Sequence, residues 1–434
     1  MMLLRLVTLA TSLLGLVTPA LTIPSPAAPF KVKPFRVNLS KNVPHMLDLI
    51  RSTQLPAKPQ YPGIGSSFGI DLDALKALKQ EWLHDFDWER EQASINKFHH
   101  YAVTIEGLQI HFIHEKSKDP NAIPLLLCHG WPGSFLEFLP IIKDLTQQAR
   151  TSTGRNVSFD IIIPSLPGFA FSSSPPQKWT LDDTARVYNT LMTKVLGYET
   201  YAVHGTAHGV AISFTLYDEF NATARAAHLV FMFFHPTTPE EISARNISLS
   251  PLEQFELQRS VEWGVNGMGY FVMQTTKPNT VGLALHDNPV GQLAWIGDKY
   301  IDCRVALTQA AGTSLTFFTG SDPRAGTAPS ILTTNELLRC VSLYYLTGTF
   351  RSSIYIYAQD PGAFERVPRR ARTDAPLLVS FFKYNTAFWP REVIAMVGNL
   401  TEYRNHDFGG TFAGLDNPPA LIEDLREIGT DWQY

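Results

Sequence analysis

Five residues, Gly205-Thr206-Ala207-His208-Gly209, stand where the short apolar strand from Tyr201 gives way to a helix-forming run. Glycines two residues to either side of a central position let the backbone make a strained strand-to-helix turn, the nucleophile elbow. That turn holds the central side chain above the sheet for covalent chemistry. Here the central side chain is the methyl of Ala207, which has no lone pair and cannot attack a substrate. The spacing is that of a covalent hydrolase whose attacking atom is missing.

Other groups near the strand ends are candidates to act in its place. His204 and His208 flank the elbow, His235 closes an apolar run read as the end of the next strand (Phe233-Phe234-His235-Pro236), and Asp407 lies on a late Gly-rich loop from His406 to Leu415. For each, the competing reading is a satisfied structural side chain, since a lone imidazole or carboxylate is no constellation. His208 leads because it directly follows the exposed position. The loop His129-Gly-Trp-Pro-Gly133 suits an oxyanion cradle built from the backbone amide of Trp131 and that of His208. Its alternative is a plain structural turn. No His-Glu-x-x-His spacing and no Gly-rich phosphate cradle is present, so neither metal nor cofactor is expected.

The elements that must hold these residues alternate. Apolar strands at Ile123 to Cys128, Phe159 to Ile163, Tyr201 to His204 and Leu377 to Phe382 end in Gly-rich or Pro-rich loops and are separated by helical stretches. That pattern predicts an α/β fold with a mostly parallel sheet, helices on both faces, and working loops at the carboxyl ends of the strands. Residues 23–34 are Pro-rich and read as an extended linker, and 35–120 as an N-terminal region, helical to about Tyr101 and followed by a hairpin over Val103 to His114. In that region the cluster Trp82, Phe86 and Trp88 reads as core packing. The core then occupies 121–235 and 359–434, and a helical cap rich in Trp, Tyr and Leu occupies 236–358, closing an apolar cleft over the strand ends. A last helix is expected around Ala420 to Ile428.

With 434 residues, 44% hydrophobic and 18% charged, the chain can bury a large core, and its net charge of −4 argues against nucleic acid or an anionic membrane as partner. Aromatic residues make up 12%, including 27 Phe, enough to line an apolar pocket as well as fill a core. Met1 to Thr22 carries Arg5, an apolar run and Thr18-Pro19-Ala20, which fits a cleaved secretory signal. An uncleaved anchor in the endoplasmic reticulum is the alternative. Sequons at Asn38, Asn156, Asn221, Asn246 and Asn399 suit a secreted glycoprotein. Three cysteines, Cys128, Cys303 and Cys340, allow at most one disulfide, with Cys128 expected as a buried thiol.

Read in order, the motifs resemble those of microsomal-type epoxide hydrolases over residues 35 to 430. The agreeing segments are Phe86-Asp-Trp88, His129-Gly-Trp-Pro-Gly-Ser134, Pro164-Ser-Leu-Pro-Gly168, Gln274-Thr-Thr-Lys-Pro278, Asn288-Pro-Val-Gly291 and Tyr345-Leu-Thr-Gly-Thr349. The resemblance implies an α/β-hydrolase fold with an N-terminal extension and a helical cap. It also implies a mechanism in which an elbow aspartate attacks the epoxide, two cap tyrosines hold its oxygen, and an acid-oriented histidine activates water. The family's Gly-Gly-Asp-Trp-Gly elbow corresponds to Gly205 to Gly209 here, and its Gly-Gly-His-Phe-Ala loop to Gly409-Gly410-Thr411-Phe412-Ala413. On this correspondence the nucleophile position is Ala207, the base position Thr411 and the acid position Asn385, all three substituted. Tyr270 and Tyr357 fall where the cap pair falls; without the resemblance either would read as a core tyrosine.

Members of a covalent triad act as a unit, and losing one typically costs ~10⁴ to 10⁶ in kcat, so hydrolysis through an ester is set aside. Three functions remain open. The first is a non-hydrolytic cyclase or isomerase acting by positioning and proton donation on a lipophilic, oxygenated small molecule, as repurposed hydrolases do in natural-product pathways. The second is a dead hydrolase retained as a small-molecule binding protein, and the third an epoxide hydrolase working by direct water attack with His208 or Asp407 as base. The sequence does not fix the oligomeric state.

Overall fold

A computed structural model describes residues 30–65, 68–301, 319–320, 322–324 and 326–432. The expected signal segment and Cys303 lie outside these residues.

The stretch expected to be a linker ends as a strand. Lys33–Phe35 (β1) pairs antiparallel with His100–Ile105 (β2), which continues through a Glu106-Gly107 turn into Leu108–Glu115 (β3), the predicted hairpin. Between β1 and β2 lie three helices, Val43–Ser52 (α1), Leu72–His84 (α2) and Trp88–Ile95 (α3). Asp71 and Asp87 cap α2 and α3 by accepting from two backbone amides each, which fixes where those helices begin. Trp82 is fully buried and its indole N–H donates to Ser342 Oγ at 3.0 Å, so this cluster packs against the cap as core.

The core follows the predicted alternation. Ile123–Cys128 (β4) precedes the helix Leu139–Thr146 (α4) and a two-residue ribbon of Ala149–Arg150 (β5) with Asn156–Val157 (β6). Phe159–Pro164 (β7), the helix Leu181–Thr190 (α5), Tyr201–Gly205 (β8), the helix His208–Glu219 (α6) and Ala224–Leu229 (β9) come next. Pro376–Phe382 (β10) and Asn399–His406 (β11) complete a nine-stranded sheet in the order β1-β2-β3-β7-β4-β8-β9-β10-β11. Every pair from β7 to β11 is parallel, and only the β1-β2-β3 edge runs antiparallel. β8 lies beside the central β4 with all five residues buried, and α6 packed on it buries every residue from His208 to Asp218.

The cap is helical among its described residues: Pro239–Ala244 (α7), Pro251–Asn266 (α8), Gly269–Thr276 (α9), Pro278–Ala284 (α10), Pro289–Gly297 (α11), Thr334–Thr347 (α12) and Phe350–Gln359 (α13). The helix expected near the end spans Pro418–Arg426, and a short helix, Ile428–Asp431, follows it. Cys128 and Cys340 are buried free thiols, and burial pushes each up to about 12. Among the described residues no helix is long and apolar enough to cross a membrane.

Candidate active site

The elbow forms as its glycines require. A Cβ on Gly205 would collide with the Gly209 carbonyl, and one on Gly209 with the Cys128 carbonyl, so β4, β8 and α6 meet only because both positions are bare. Between them Ala207 is held at φ 44°, ψ −120°, a conformation L residues rarely adopt and one costing about 1–3 kcal/mol. Its methyl faces a cavity of about 120 Å³ between core and cap. Beneath the turn, Thr206 Oγ1 donates to Glu137 Oε1 at 2.6 Å, and burial raises that carboxyl to about 8, so it is largely neutral at pH 7.

Phe, Tyr and Trp supply nine of the seventeen residues that line the cavity. Tyr270 and Tyr357, from α9 and α13, meet over the elbow with ring centres 6.2 Å apart and hydroxyls in contact. The Trp131 indole stacks on Tyr270 at 5.2 Å and stands edge-on to Tyr357 at 6.0 Å. Burial pushes both phenols up, so both remain hydrogen-bond donors at any physiological pH. Lys299 adds a cation over the Tyr270 ring, 5.1 Å from its centre. The indole N–H groups of Trp131 and Trp263 are sealed from solvent with no acceptor among the described residues.

The amide cradle is formed but filled. Trp131 N–H donates to Nδ1 of His208 at 3.4 Å, and the imidazole packs edge-on against Tyr357 at 4.5 Å. Burial lowers His208 to about 3, so the ring is neutral and, with Nδ1 occupied, a poor base for water.

Thr411 and Asn385, far apart in sequence, come together: Thr411 Oγ1 donates to Asn385 Oδ1 at 3.3 Å. Asn385 Nδ2 donates to the Val230 carbonyl at 2.8 Å, and Arg259 holds the Asn385 carbonyl at 3.1 Å. Thr411 lines the cavity; Asn385 sits behind it.

Three further candidates are placed differently from expectation. His204 is fully buried in β8 outside the cavity lining, its Nδ1 2.8 Å from Nδ1 of His228, which in turn reaches Ser380 Oγ at 2.9 Å. A strand residue points into the sheet packing, so His204 belongs to a buried polar chain. Asp407 follows the end of β11 with an exposed side chain outside the lining. His235 does reach the cavity, but β9 ends at Leu229 and His235 sits exposed in the irregular segment beyond it. Sequence reasoning missed Glu365, the one carboxylate in the lining among the described residues; it lies in a turn after α13 with no motif around it. Of the sequons, Asn38, Asn156 and Asn246 are exposed, whereas the Asn221 and Asn399 amides donate to the Arg372 and Asp374 carbonyls.

Residues 32–138 match the family described as "Epoxide hydrolase N terminus" and residues 123–262 match "alpha/beta hydrolase fold". A putative epoxide hydrolase of Stigmatella aurantiaca is 34% identical over 400 residues, covering 91% of this chain and 84% of that protein. The structure of an enantioselective, directed-evolution mutant of the Aspergillus niger epoxide hydrolase superposes with a TM-score of 0.76 at 30% identity, covering 94% of this chain and 98% of that one. The juvenile hormone epoxide hydrolase of Bombyx mori does so with 0.77 at 25% identity, over 92% and 94%. Elbow, capped cavity and full-length similarity agree: the chain belongs to the microsomal-type epoxide hydrolase family.

Proposed function

We propose that this protein is a non-hydrolytic member of its family, a cyclase or isomerase acting on a lipophilic, oxygenated small molecule. The observation that carries this reading is the Ala207 methyl at the elbow, facing a cavity whose opposite wall holds two phenol donors. The Thr411–Asn385 hydrogen bond supports it, since the places expected for base and acid hold groups that neither take a proton from water nor orient an imidazole.

In the proposed reaction a hydroxyl of the substrate attacks its own epoxide carbon. The new C–O bond forms as the old one breaks, Tyr270 and Tyr357 donate to the departing oxygen, and the proton lost by the attacking hydroxyl is returned to that oxygen through solvent at the mouth. Holding both partners in one cavity supplies the entropy, and donors aimed at the developing charge supply the rest. The unpaired indole N–H groups of Trp131 and Trp263 favour a ligand with acceptor oxygens, since a buried donor left unpaired costs about 1–3 kcal/mol.

A second reading, a binding protein without turnover, is favoured by one observation: His208 occupies the amide cradle. Direct hydration has less support, because His208 is sealed and neutral and Asp407 stands outside the cavity.

The test is to incubate the protein with styrene oxide and with a panel of epoxy alcohols, reading intact mass and products. The proposal expects no adduct on the Gly205–Gly209 peptide and cyclic ethers or rearranged carbonyls in place of diols. Diols or a mapped adduct would sink it, and tight binding without any product would pass the lead to the binding protein.

A further inference from the structure

We propose that the ligand of this cavity carries a positively charged nitrogen, seated at the mouth against Glu365 and the neighbouring aromatic faces, so that the natural substrate is an amine-bearing lipophile. This rests on reading the cavity as a small-molecule site and narrows the class of molecule it takes.

Charge at the mouth comes first. Glu365 is exposed and, among the described residues, is the only carboxylate lining the cavity. Its side chain has no ion pair or hydrogen bond within the described chain. The basic run that follows does not neutralise it: Arg366 is engaged by Asp182 at 2.9 Å and Asp360 at 3.8 Å, Arg369 by Asp218 at 2.6 Å, and Arg372 by Asp218 at 3.2 Å. An unpaired carboxylate on the rim of an apolar cavity disfavours an acidic ligand and favours a cationic one.

The rings beside it point the same way. Phe364, the preceding residue, stands edge-on to His208 at 5.3 Å and to Phe231 at 6.2 Å, and reaches Phe271 at 6.5 Å, which fixes Glu365 next to a cluster of π faces. Such faces attract a desolvated cation, and a box of rings with a carboxylate at its edge is how quaternary and protonated amines are recognised.

The deeper wall is polarised the opposite way. Tyr270 and Tyr357 offer phenol donors there, and Lys299, held by Asp298, stands 5.1 Å from the centre of the Tyr270 ring. A ligand therefore places electron-rich oxygen at the tyrosines and its cation outward. Size agrees: about 120 Å³ encloses roughly one benzene-sized group. The remainder of a larger ligand passes through the mouth, beside Glu365 and His235.

The experiment uses the full chain and three probes of one shape, 4-phenylbutylamine, 4-phenylbutanol and 4-phenylbutyrate. Calorimetry and the fluorescence of the lining tryptophans report binding. The amine is expected to bind about tenfold more tightly than the alcohol, with the carboxylate weakest. In Glu365→Gln that preference disappears while alcohol binding is unchanged, and in His235→Gln the order persists. Added salt weakens the amine alone. Alcohol binding with no amine preference, or a preference that survives Glu365→Gln, overturns this proposal and leaves the small-molecule site standing. Failure of all three probes overturns both.

Discussion

The two halves of the cavity have different histories written in their chemistry. The cap half presents two phenols, both donors, one of them stacked on the Trp131 indole that rises from the core, with Lys299 against the Tyr270 ring. The core half keeps its backbone, the bare Gly205 and Gly209 and the strained Ala207, yet presents a methyl, a threonine and an amide. Backbone geometry persists because it is fixed by packing: a Cβ at either glycine would push α6 off the central sheet. A side chain pointing into a cavity bears no such load and changes freely. On the proposed reading, such a site stabilises negative charge on oxygen and supplies no attacking group.

The sharpest way to break this contrast is to return chemistry to the core half. Ala207→Asp alone should form an ester with styrene oxide and stop, visible as a stable mass increase, because Thr411 does not activate water. Adding Thr411→His and Asn385→Asp should release diol over many turnovers, since those positions are already within hydrogen-bonding distance. Multiple turnovers by the single variant would mean that a base is present after all, and the contrast would fail.

Next comes acid stability, which probes how tightly the core half is sealed. Burial holds His129 and His208 at about 3 and His228 at about 4, while an unfolded imidazole takes its proton near 6.5. These folded values are depressed, so the stability is present above about pH 6.5 and is lost as pH falls from there towards about 4 for His228 and about 3 for His129 and His208. At pH 5.5 each imidazole costs roughly 1.4 kcal/mol, about 4 kcal/mol for the three. Other buried groups titrate over the same interval, Glu137 among them with the opposite sign, so His208 is read by difference: from denaturant midpoints at pH 7.5 and 5.5 the parent should lose roughly 1.4 kcal/mol more than His208→Gln. An unchanged loss would show that His208 protonates in the folded chain and stands as an accessible base.

The cap half is tested by Tyr270→Phe and Tyr357→Phe. Each keeps its ring packing and should lower kcat on a ring-forming substrate by about 10² to 10³, as for removal of one oxyanion donor, with ligand affinity changing less. If both variants turn over like the parent, the phenols are only packing. The smallest effect concerns the elbow itself. Ala207→Gly relieves the positive φ at some cost in chain entropy and should raise stability by up to about 1 kcal/mol, read as a shifted urea midpoint.

Much of this was legible in the sequence, and the exceptions have physical causes. The strands at Ile123, Phe159, Tyr201 and Leu377 are buried on both faces and so read as apolar runs. β11, Asn399–His406, is an edge strand of intermediate burial and polar composition, and no periodicity betrays it. Pairing of Thr411 with Asn385 follows from their loops, but the inward turn of the His208 ring does not, because it depends on an acceptor meeting the Trp131 amide across the cavity. Asp407 was misplaced for the converse reason, since its loop borders the site while its side chain leaves it. Glu365 acquires meaning only from the rings that surround it.

The imidazole in the amide cradle makes binding a two-step equilibrium. Any ligand group destined for the Trp131 amide must first wait for His208 to swing aside, so the protein carries its own competitive occupant. The apparent affinity is then the intrinsic one scaled by the fraction of molecules with the ring displaced. A weak overall constant for the natural ligand would thus be compatible with a tight fit, the difference being spent on moving one side chain.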